Sequence, residues 1–139
     1  MLEQTVALDG PVLRRRGGHM LEPAPIRADW ILDGTPRRRA KLLAHGNTGG
    51  VALHMWDCSS GCFRWTHACE EIIYVLEGEA LITRAGVRHA LRMGDTHVFP
   101  AGSHSLWTVA DYFLALACRS AIPVPTSRAR SKRGQPPRS

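Results

Sequence analysis

The stretch FRWTHACEEIIYVLEGEA, residues 63–80, decides how the rest of the chain is read. A histidine, a cysteine and two adjacent glutamates precede an apolar run, rich in β-branched and aromatic residues, that stops at Gly78. Such a run bounded by glycine reads as a strand, because branched and aromatic side chains pack well on a pleated surface. Its polar end raises a separate question of chemistry, since ionisable groups at one end of an apolar wall are the usual material of a binding or metal site.

The same texture extends in both directions. Short apolar runs bounded by Gly, Asp, Asn and Pro recur about every ten residues, and no window of a dozen residues keeps the i, i+3, i+4, i+7 spacing of an amphipathic helix. Ten strands are expected, at residues 28–34, 39–45, 50–58, 63–67, 71–78, 79–85, 89–93, 96–102, 105–110 and 111–119. HGNTGG and SSG supply residues tolerant of positive φ, while EGEA and RAGVRH look like hairpin connections. GNTGG leads into a strand pattern and not a helix, which excludes a phosphate loop. Ten short strands with tight turns predict an all-β protein, an antiparallel barrel or sandwich that buries one face of each strand and limits exposed edges.

Length and charge bound the rest. The 139 residues make one domain, and no apolar run approaches the roughly 20 residues of a membrane helix. The N-terminus lacks the order of a secretory signal, so a cytoplasmic protein with reduced thiols is expected. Cys58 and Cys62 have no second close pair to complete a four-cysteine zinc site with Cys69 and Cys118. The net charge of +6 comes from the ends, because residues 21–120 carry equal numbers of acidic and basic side chains. Residues 1–20 are expected to be an ill-ordered extension ahead of a second start at Met20, residues 21–120 the folded domain, and residues 121–139 a disordered basic tail. That tail lacks interleaved aromatics, so nucleic acid is not an expected partner.

The order FRW…EEIIYVLEGEALIT…GD…VFPAG…W resembles a small single-domain cupin, similar to the family grouped with the (S)-ureidoglycine aminohydrolase cupin domain. The resemblance covers residues 26–119 and implies a single jelly-roll barrel with flexible basic ends. It also implies a homodimer, paired through N-terminal strands such as IRADWILDG. It carries two motifs: G, five residues, HxH, three or four residues, E, six residues, G; and G, five residues, PxG, two residues, H. Here His67, Glu71 and Gly78 fall in register in the first, and Gly94, Pro100 and Gly102 in the second. Trp65 stands at the other histidine of the first motif and Ser105 at the histidine of the second.

A cupin metal set is three histidines and a carboxylate, which suits Mn, Fe, Ni or Zn. Two of the four are kept, and His104 would add a third if the turn after Gly102 shifted by one residue. His67 and Glu71 are the candidate catalytic pair, able to act as general acid and base with or without a metal. Trp65, Trp107, Tyr74, Phe99 and Ser105 are expected to line the ligand pocket, with Trp56 completing an aromatic wall. His54 and His97 alternate with apolar neighbours and read as wall or surface residues, and Arg64 and Arg84 as solvated ones. Two functions stay open: a metal-assisted enzyme similar to ureidoglycine aminohydrolase, and a metal-free cupin that binds or senses a small polar metabolite.

Overall fold

A computed structural model describes residues 21–46 and 50–120; the readings of residues 1–20 and of the basic tail lie outside them. The described chain is almost wholly antiparallel β-structure: β1 (Glu22–Pro23), β2 (Ile31–Asp33), β3 (Arg38–His45), β4 (Val51–Thr66), β5 (Glu71–Arg84), β6 (Val87–Arg92), β7 (Thr96–Phe99) and β8 (His104–Ser120). One turn of 3-10 helix, Ala28–Trp30, precedes β2.

Three long strands organise the barrel. The first half of β4 pairs with β3 and with the second half of β8, and beyond the irregularity between Ser59 and Gly61 its second half pairs with β2 and the first half of β8. In the same way β5 pairs with β7 and then, past Gly78, with β6, keeping β8 on its other side throughout. Each long strand therefore serves both layers, and the bends close the sheet around its apolar face.

The bends account for the main departure from the expected strand list. EGEA is not a hairpin: β5 runs straight through it, with register shifts between Val75 and Glu77 and between Gly78 and Leu81. SSG likewise lies inside β4. Gly78 takes φ +77°, and a Cβ there would sit 1.9 Å from the carbonyl oxygen of Tyr112, so the close approach of β5 and β8 requires glycine. The expected RAGVRH hairpin is present, with Ala85 and Gly86 at positive φ joining β5 to β6.

Inward-facing side chains from both layers form one core that includes Trp56, Phe63, Ile73, Val75, Ile82, Phe99, Trp107 and Phe113. Trp107 is its hub: Trp56, Phe63, Phe99 and Phe113 have ring centroids 5.4–5.9 Å from it. Aromatic pairs at such spacings add about 0.5–1.5 kcal/mol each beyond their burial. Among the described residues no helix is long and apolar enough to cross a membrane.

Candidate functional site

At one end of this aromatic core lies a narrow cavity of about 20 Å³, lined by Arg38, Trp56, Phe63, Trp65, His67, Glu71, Phe99, Trp107 and Arg119. The motif residues arrive there by strand register. Thr66 ends β4, and the backbone of His67 is clamped to the loop before β8, donating to Ser103 and accepting from Gly102 at 2.9 and 2.7 Å. Glu71 opens β5 directly opposite Phe99 on one side and Arg119 on the other.

His67 and Glu71 are both buried, and a chain of hydrogen bonds runs from them into the core. Nδ1 of His67 lies 3.1 Å from Oε1 of Glu71, and its Nε2 lies 3.0 Å from Oγ of Ser105. The indole N–H of Trp107 donates to the same Oγ at 2.9 Å. With Nδ1 donating to the carboxylate, the neutral ring receives the Ser105 hydroxyl proton at Nε2. The imidazole also stacks on Phe99, with centroids 4.3 Å apart. Ser105 stands behind His67 and does not line the cavity, so the chain fixes the ring and presents the His67–Glu71 pair to the cavity as a potential acid and base.

Of the expected pocket residues, Trp65, Phe99 and Trp107 line the cavity, as does Trp56. Tyr74 does not. It alternates with the inward-facing Ile73 and Val75, is 44 % exposed, and lies on the outer face of β5. His104 is not brought to His67 and Glu71 either: the register pairs Trp65 with Ser105 and Thr66 with His104, so Ser105 turns inward while His104 is exposed and bonds Thr66 at 3.0 Å. Among the described residues no three His, Cys, Asp or Glu side chains gather as a metal site. A four-ligand cupin metal does not fit this residue set, since two positions hold Trp65 and Ser105 and both nitrogens of His67 are engaged.

Neither Arg64 nor Arg84 faces the cavity; Arg38 and Arg119 do. Arg38 is the middle of three consecutive arginines, and the alternation of β3 turns it inward opposite Cys58. Its guanidinium lies over the rings of Trp56 and Trp65, 5.3 and 5.0 Å from their centroids, and donates to the carbonyl of Ala24. Burial pulls its pKa down, with Glu71 opposing that shift and Arg119 adding to it. The alternation Phe113, Ala115, Ala117, Arg119 along β8 was the available sequence signal for the second arginine.

His54 and His97 are both half-buried, each with one ring nitrogen lacking a partner. Burial lowers both pKa values, helped at His54 by Arg119 and at His97 by His89 and Arg84.

The family model for the EutQ-like cupin domain matches residues 45–114. The ethanolamine utilization protein Q of Salmonella typhimurium LT2 is 23% identical over 61% of this chain and 70% of that one, with a TM-score of 0.55. EutQ of Clostridium difficile is 23% identical over 62% of this chain and 64% of that one, with a TM-score of 0.56. A protein of unknown function from Pseudomonas syringae pv. tomato is 20% identical over 81% of this chain, with a TM-score of 0.69, and this chain spans 51% of its length. At these identities the structures share a fold. No curated protein matches the chain.

Proposed function

The chain belongs to the EutQ-like cupin domain family, and on that premise we propose that its barrel mouth binds a small polar metabolite without the help of a metal ion. One observation carries this reading: both ring nitrogens of His67, at the position of a cupin metal ligand, are taken up by Glu71 and Ser105. A concave aromatic cavity with a few converging polar groups is the usual form of a small-molecule site. Metal-assisted hydrolysis of the ureidoglycine aminohydrolase kind would need ligands beyond His67 and Glu71, and His104 is turned away.

Metal analysis of protein purified without chelators, together with thermal melts against a panel of neutral and charged metabolites, tests the reading. Substoichiometric metal with a raised melting temperature for at least one compound is the expected result. A full equivalent of Mn, Fe, Ni or Zn that is lost on His67→Ala would overturn it in favour of the enzyme. All four cysteines are free thiols, which supports a reducing compartment and a cytoplasmic setting. The homodimer implied by the cupin resemblance stays a proposal, to be tested by the mass in sedimentation velocity.

A further inference from the structure

The polar groups of the cavity are unbalanced toward donors. Arg38 uses one hydrogen bond of its guanidinium, to Ala24, and the guanidinium of Arg119 makes no hydrogen bond or ion pair among the described residues. Trp56, in the same wall and 5% exposed, holds a buried indole N–H with no partner. A guanidinium offers five N–H donors and no acceptor, and an indole offers one donor and no acceptor. Against these stands one carboxylate, Glu71, already engaged with His67. Two fixed positive charges and one negative charge leave the cavity one positive charge in excess while His67 is neutral.

We infer that the ligand is a small monocarboxylate, its carboxylate received by Arg38 and Arg119 and its carbon skeleton laid on the aromatic floor of Trp65, Phe99 and Trp107. Guanidinium groups grip carboxylates by paired N–H···O bonds that an amide of the same shape cannot reproduce. One negative charge matches the excess, whereas a dianion such as a phosphate monoester would overshoot it by one charge and be repelled by Glu71 about twice as strongly. The apolar floor adds affinity for carbon, and the cavity of about 20 Å³ limits the ligand to an acid of two or three carbons. This inference rests on the binding reading above and gives that ligand its charge.

Isothermal titration of the full chain with acetate, pyruvate and propionate, each beside its amide and beside inorganic phosphate, tests it. At least one acid should bind while its amide and phosphate do not. Arg119→Met should weaken that acid by roughly tenfold or more, and Arg119→Lys, which keeps the charge without the fork, by less. Circular dichroism and melting curves establish that each variant is folded, and Arg119→Lys carries the test if the methionine variant is not. Equal binding of acid and amide, or acid affinity unchanged in the folded arginine variants, overturns the inference and leaves the binding reading intact. Failure of all three acids overturns the inference; failure of the whole metabolite panel as well overturns the reading beneath it.

Discussion

At the scale of single residues, Ser105 shows how one side chain sets the character of the site. It stands where the cupin pattern has a histidine, and its hydroxyl joins His67 to Trp107 inside the core. Removing that hydroxyl leaves an imidazole nitrogen and an indole N–H buried without partners, each a desolvation cost of about 1–3 kcal/mol. Ser105→Ala should therefore lower unfolding stability by about 2–6 kcal/mol, read as a shift of the urea midpoint. An unchanged midpoint would mean that water replaces the hydroxyl and that the chain does not hold His67. His67 and Glu71 were legible in the sequence because motif spacing survives without knowledge of the fold. Arg38 was not: in RRR all three residues look like solvated surface, and only the register of β3 against β4 separates the inward one from Arg37 and Arg39.

At the scale of elements, the bends in β4 and β5 matter more than the number of strands. Periodicity marks apolar runs, and glycine between two runs reads equally as a turn or a bend; the pairing with β8 on both sides of Gly78 selects the bend. Gly78→Ala would drive Cβ into the Tyr112 carbonyl at a backbone angle that L residues avoid. A loss of about 3 kcal/mol or more, or failure to fold, is expected in chemical denaturation. A stability within error of the parent would show that β5 and β8 can move apart. On β4, Cys58 is fully buried beside the bend, and burial pushes its thiol up to about 11. Thiolate is the reactive form, so a thiol reagent at pH 8 should label the half-buried Cys62, Cys69 and Cys118 in the folded protein and reach Cys58 only after denaturation. Early labelling of Cys58, read by peptide mass, would contradict this packing.

At the scale of the whole molecule, the interior histidines make stability depend on pH. His54 and His97 have folded pKa values below the ordinary value of about 6.5, mainly through burial. As pH falls below about 6.5 the unfolded chain takes up protons at these rings before the folded chain does, so their contribution is fully present above that pH and declines beneath it. The urea midpoint should drop between pH 7.5 and 5.5, and His97→Asn should make the drop shallower. An identical slope in that variant would assign the loss to other groups. The sequence by itself determined the β class and the His67, Glu71 and Gly78 register, because periodicity and spacing are local properties of the chain. Only the tertiary structure decided that His104 and Tyr74 face out, that Ser105 takes the place of a metal ligand, and that two arginines from β3 and β8 meet in the cavity. Facing in or out depends on strand parity across bends, and the meeting of distant strands depends on how the sheet closes.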